Sequence, residues 1–166
     1  MIDYRQLSLP HAVGEYVGPS KGAGLTRKDM IALLMQESEG CKIDTRIVDW
    51  YASLGMRHSE QLYLSSHGAD VYQAFDYIIP NLASSANQGN ETQTRSLGGQ
   101  YNGFCRQGGV EVLQQAGFYG AGERVARQAL DLLAAPNCPS GKMDLLLQPE
   151  QMMLQIHESI GHPIEL

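Results

Sequence analysis

Cysteine is scarce in this 166-residue chain: Cys41, Cys105 and Cys138 are the only three, they lie far apart, and no two form a C-x-x-C pair. That number and spacing argue against a disulfide framework and against a zinc ribbon, and they fit a reducing compartment. Long hydrophobic runs are missing too, since no segment approaches the ~18 consecutive apolar residues of a membrane span. The first twenty residues hold acids and Pro10 but no long apolar stretch, so they do not read as a secretory signal. Positive charge is thin: twelve Lys and Arg, scattered from Arg5 to Lys142, stand against eighteen Asp and Glu, for a net charge of −6. A protein so charged is not expected to contact nucleic acid directly. Phosphate-loop patterns are absent as well, because neither Gly98-Gly99 nor Gly108-Gly109 belongs to a G-x-x-x-x-G-K or G-x-G-x-x-G motif. The expectation is a cytoplasmic protein with no membrane and no nucleic-acid partner.

What is present suffices for one sizeable core, with 43% hydrophobic residues. Residues 1–24, punctuated by Pro10, Pro19 and several Gly and Ser, read as an irregular lead-in, and residues 25–166 as the domain. Thr26 with Asp29 three residues on resembles a capping box and opens a helix through Met30, Ile31, Leu33, Leu34 and Met35 that Gly40 ends. Residues 43–54 and 61–66 read as strands joined by a short turn over 55–59, and another strand starts after Ser65-Ser66-His67-Gly68 and runs through Val71, Phe75, Tyr77 and Ile79. Short connections of this kind predict an antiparallel meander. Residues 81–109 are polar and Gly-rich and read as a long strand with a mobile loop. A short helix is expected over 110–116 and an amphipathic one over 123–135, with Val125, Ala129, Leu132 and Leu133 on one face and Pro136 as its stop. Residues 143–147 read as a short apolar strand, and Pro149 suits the first position of a final helix whose positive end Glu150 favours. The fold class is α+β: an antiparallel sheet meander packed with two or three helices.

The last ten residues carry the chemistry. His157-Glu158-Ser159-Ile160-Gly161-His162 places two imidazoles around a carboxylate directly after the apolar helical run Met152, Met153, Leu154, Ile156. Zinc takes neutral imidazole nitrogens, and a nearby carboxylate that is not a ligand can accept the proton of an activated water. His157 and His162 are the candidate ligands and Glu158 the candidate general base. The spacing is i, i+5, not the i, i+4 of H-E-x-x-H. At 100° per residue, five steps turn about 500° and leave the two side chains about 140° apart on a regular α-helix. A shared metal therefore demands either a widened π-type turn or a helix that breaks before His162. Pro163 supplies a cause, since it has no N–H for the Ser159 carbonyl, and Gly161 tolerates unusual torsions. The plain alternative is that both histidines simply sit near a helix end, where their positive form suits the dipole.

Other residues invite less. Each of the three cysteines falls in a separate loop or element end, where a small buried hydrophobe is the ordinary role. Glu165 is close to His162 in sequence and is expected to face solvent or to meet an ion opportunistically. His58 and His67 both fall in expected strand turns with no carboxylate or serine pattern to recommend them as catalytic bases. Trp50, Tyr51, Tyr63 and Tyr72 come at strand spacing and read as core or sheet face.

The stretch 152–166, MMLQIHESIGHPIEL, resembles the metal-binding signature of the TldD/PmbA family of zinc metallopeptidases, also described as modulators of DNA gyrase. The upstream order of a Thr26-capped helix, antiparallel strands ending in Gly98-Gly99, a helix over 123–135 and a turn with Ser140-Gly141 is similar as well. The resemblance implies zinc held by His157 and His162, water activated by Glu158, and peptides or unfolded protein as substrate. It also implies a homodimer or a heterodimer with a related family member. By the same resemblance a further ligand, a cysteine, belongs to a C-terminal domain absent here, so that the chain reads as a middle piece of a larger two-domain protein with only part of the site, and the isolated chain is expected to hold zinc weakly or not at all and to be inactive. The alternative from another class is a non-catalytic interaction or regulatory module, of the gyrase-modulator type, in which sheet edges bind a partner and the histidines are incidental.

Overall fold

The computed structural model describes residues 11–19, 24–98 and 104–165. Part of the lead-in and Gly99 lie outside the described residues, as does the side chain of Glu150. The architecture is α+β: strands β1 (Val13–Val17), β2 (Ile47–Leu64), β3 (Asp70–Gln88), β4 (Glu91–Ser96) and β5 (Arg106–Gln107), with helices α1 (Arg27–Glu39), α2 (Glu111–Gln115), α3 (Ala121–Ala134) and α4 (Pro149–Ile156). Among the described residues no helix is long and apolar enough to cross a membrane.

β3 organises the sheet. β2 pairs antiparallel with it from Asp70 to Ala86, and on its other edge β1, β5 and β4 follow one another at residues 70–74, 77–78 and 83–88. β2, β3 and β4 form the expected antiparallel meander, but β1 pairs parallel to β3, so the sheet is mixed and the lead-in contains a strand. Pro and Gly on both sides of residues 13–17 hid it, because a five-residue strand whose side chains are all exposed carries no alternating burial signal.

The turn expected at residues 55–59 is absent, and β2 runs straight through it. Gly55 faces Ile79 across the ladder, and a Cβ there would approach the Ile79 Cβ to 3.3 Å. The glycine thus makes room for a branched neighbour and does not bend the chain. The reversal comes at residues 65–69. There Gly68 takes φ +91°, and the Ser65 hydroxyl accepts from the N–H groups of His67 and Ala69 at 3.3 and 3.1 Å. The apolar run 143–147 is likewise no strand: it has no partner among the described residues, and Leu145 and Leu146 are exposed. Without an edge to pair with, apolar content alone does not make a strand.

The core lies on one face of β3. Ile78, Leu82 and Ala86 alternate inward against Val125, Ala126 and Ala129 of α3, with Val112 and Leu113 of α2, Phe118 and Cys41 closing the sides. Ile78, Leu82, Leu113 and Phe118 are fully buried, each stabilising by about 1.5–3 kcal/mol. Leu132, expected on the buried face of α3, is exposed instead.

α1 begins as the sequence predicts, with Thr26 and Asp29 satisfying each other's backbone in a capping box. Its C-terminal turn carries a fully enclosed acid. Glu37 accepts hydrogen bonds from the N–H groups of Gly120 (2.9 Å) and Ala121 (3.1 Å), the start of α3. A carboxylate there answers both orphan donors and the positive helix end.

Candidate metal centre

α4 starts at Pro149 in the first helical position, as the missing proline donor allows. It continues regularly to Ile156. At His157–Gly161 the helix widens into a π-turn, closed by the N–H of His162 donating to the His157 carbonyl, and a 3₁₀ turn follows over His162–Ile164. Of the two routes open to the sequence, the widened turn is the one taken. Pro163 accounts for it: without a donor at 163 the α-type bond to Ser159 cannot form. Gly161 contributes less than expected, since its φ of −56° and ψ of −62° are ordinary right-handed values.

The π-turn brings together what a regular helix would splay apart. The His157 and His162 rings lie 4.5 Å apart between centroids, tilted by 72°. One ligand atom from each of His157, Glu158 and His162 falls within 4.8 Å of the others, and all three residues are exposed. Two nitrogens on one tetrahedral zinc stand about 3.3 Å apart, given bonds of about 2.0–2.1 Å. Side-chain rotation on an exposed turn covers the difference. The donor set of two imidazoles and a carboxylate suits zinc chemically, so the residues fit the metal that their pattern suggested. Glu158 Oε2 lies 3.9 Å from His162 Nε2, beside the nitrogen pair but not bonded to it.

Glu165 does not simply face solvent. Its Oε2 is 2.9 Å from Nδ1 of His162. Sequence spacing held the signal, because a 3₁₀ turn eclipses residues i and i+3, but nothing in the sequence announced a 3₁₀ turn there except Pro163.

The cysteines stay away from the cluster. Cys41 is enclosed in the core, and burial, with Glu37 nearby, pushes its thiol pKa up. Cys105 and Cys138 are exposed free thiols. Among the described residues no other His, Cys, Asp or Glu joins the His157–Glu158–His162 group.

His58 is a histidine that the sequence misjudged. The expected turn is strand, which puts His58 on β2 directly opposite Asp76, with Nδ1 2.7 Å from Asp76 Oδ1 and Nε2 3.1 Å from Glu60 Oε1. Hydrogen bonds to Glu60 and then to Asp76 raise its pKa above the ordinary 6.5, and Tyr72 adds a hydrogen bond to Glu60. The folded-state pKa is raised, so the stability contributed by the imidazolium is complete below pH ~6.5 and lost as pH rises through the higher folded value. The ring resonances of His58 are expected to titrate above 6.5 by NMR. In Asp76→Asn the midpoint falls back, and an unchanged midpoint would remove Asp76 as a cause. His67 sits in the hairpin turn as expected.

Over 109 residues, which cover 64% of this chain, the sequence is 31% identical to a protein named "Metalloprotease" from Methanothermobacter thermautotrophicus (strain Delta H). That stretch spans only 22% of the relative's length. No family model matches the chain, and no solved structure matches it.

Proposed function

We propose that this chain carries the metal-binding turn of a zinc-dependent metallopeptidase of the TldD/PmbA type, with peptides as the substrate class. The observation that carries the reading is the π-turn, which turns an i, i+5 spacing useless on an α-helix into two adjacent imidazoles beside a carboxylate. Likeness to a protein named as a metalloprotease supports it from a separate direction.

In this reading His157 and His162 each offer a ring nitrogen. A zinc ion held there would polarise a peptide carbonyl and lower the pKa of a water. Glu158, between the two ligands in sequence and not needed as a third, accepts the proton of the attacking water and returns it to the departing amine. His157 and His162 fill two of the three protein positions usual in a catalytic zinc site, and the third ligand comes from outside the described cluster.

Zinc titration of the chain, followed calorimetrically at neutral pH, tests the reading. Weak binding of one equivalent is expected, removed by dialysis and reduced at least tenfold by either His157→Ala or His162→Ala. Binding indifferent to both substitutions would overturn the assignment of the ligands.

A further inference from the structure

Resting on that metallopeptidase reading, we infer that Glu165 is a positioning residue: it holds His162 in the tautomer with its proton on Nδ1, so that the Nε2 lone pair is kept for the metal. Three observations converge. The 2.9 Å contact joins Glu165 Oε2 to Nδ1, whereas Nε2 is the nitrogen on the Glu158 side of the ring. Glu165 stands outside the group whose ligand atoms lie within 4.8 Å of one another, so it serves the ring and not the ion. The backbone fixes the pair too, because the Glu165 N–H donates to the His162 carbonyl at 3.2 Å and closes the 3₁₀ turn that eclipses the two residues.

The chemistry follows from the inventory of donors. An ionised carboxylate only accepts, so the nitrogen facing it must carry the hydrogen, and in a neutral imidazole the other nitrogen is then unprotonated. A free imidazole divides between two tautomers and must rotate or re-protonate to bind a metal. One held by Glu165 is already committed. A partner of this kind also raises the basicity of the ligating nitrogen, and loss of such partners usually weakens metal affinity 10–100-fold. Pro163 takes part indirectly, since its fixed φ favours the tight turn that brings residue 165 under residue 162.

The test uses the isotope-labelled chain, first without metal and then titrated with zinc. At mildly alkaline pH, long-range proton–nitrogen NMR is expected to show His162 as the Nδ1–H tautomer in the unsubstituted chain and in Glu165→Gln, whose amide oxygen still accepts. It is expected to shift toward the Nε2–H form in Glu165→Ala. Zinc affinity should fall 10–100-fold in Glu165→Ala and stay within about threefold in Glu165→Gln. His162 remaining Nδ1–H in Glu165→Ala, or zinc binding unchanged by that substitution, overturns the inference. If neither the unsubstituted chain nor the full-length protein takes up zinc, the metallopeptidase reading fails and takes the metal role of Glu165 with it. A zinc affinity that depends on His157 and His162 but not on Glu165 sinks the inference alone.

Discussion

Gly122→Ala is expected to destabilise the fold by about 3 kcal/mol, at the upper end of the usual cost of forcing extra carbon into a packed site. The sign is the informative part. Gly122 is the second residue of α3, and in a helix alanine is normally preferred over glycine, by up to about 1 kcal/mol in the interior. Here an added Cβ would fall inside contact distance of the Glu37 carbonyl oxygen, 2.8 Å from the Gly40 carbonyl carbon and 3.0 Å from the Cys41 nitrogen. These are backbone atoms, so no side chain can swing away. α1 and α3 would have to separate, and separation would pull Glu37 off the N–H groups of Gly120 and Ala121. The companion substitution Glu37→Ala leaves both donors unmet, the Ala121 N–H buried and the Gly120 N–H partly so, and should cost about 2–4 kcal/mol. Urea unfolding followed by circular dichroism measures both. A Gly122→Ala protein as stable as the original, or more so, would show that the two helices are free to move apart.

On the proposed reading, Glu158→Gln should lower peptide hydrolysis by the full-length protein about 10²–10⁴-fold, the usual contribution of a positioned general base. The amide keeps the shape of the side chain and removes its capacity to take a proton. Zinc affinity should change little, because the two imidazoles are untouched. His157→Ala should instead lose metal and activity together. The contrast separates base from ligand: if Glu158→Gln releases zinc as readily as His157→Ala does, the carboxylate is a ligand and the proton goes elsewhere. Hydrolysis indifferent to Glu158→Gln would favour the interaction-module alternative.

The turn that carries the candidate site was more legible in the sequence than the sheet. Spacing and one proline were enough to foresee a distorted turn at His157–Gly161, since both the helical repeat and the missing donor of Pro163 are properties of the chain itself. The capping box of Thr26 and Asp29 and the span of α3 were readable for the same reason: they depend on residues three or four apart. What could not be read depended on distant partners. Gly55 signals a turn until Ile79 is placed opposite it. His58 acquires Asp76 only through the register of β2 on β3. β1 exists because the exposed edge of β3 receives it, and residues 143–147 fail as a strand because no such edge receives them. Glu165 fell between the two cases, local in sequence but dependent on a tight turn following a wide one.

That succession of turns sets the phase of everything along the final helix. His157, His162 and Glu165 are five and then three residues apart, and a uniform α-helix would advance them by about 500° and 300°, leaving His162 about 140° and Glu165 about 80° from His157 around the axis. A wide turn followed by a narrow one instead sets His157 beside His162 and His162 beside Glu165. The two contacts therefore follow one another along the final turns, ring to ring and then ring to carboxylate. In a helix of constant pitch, no choice of side chain at these positions would restore that alignment.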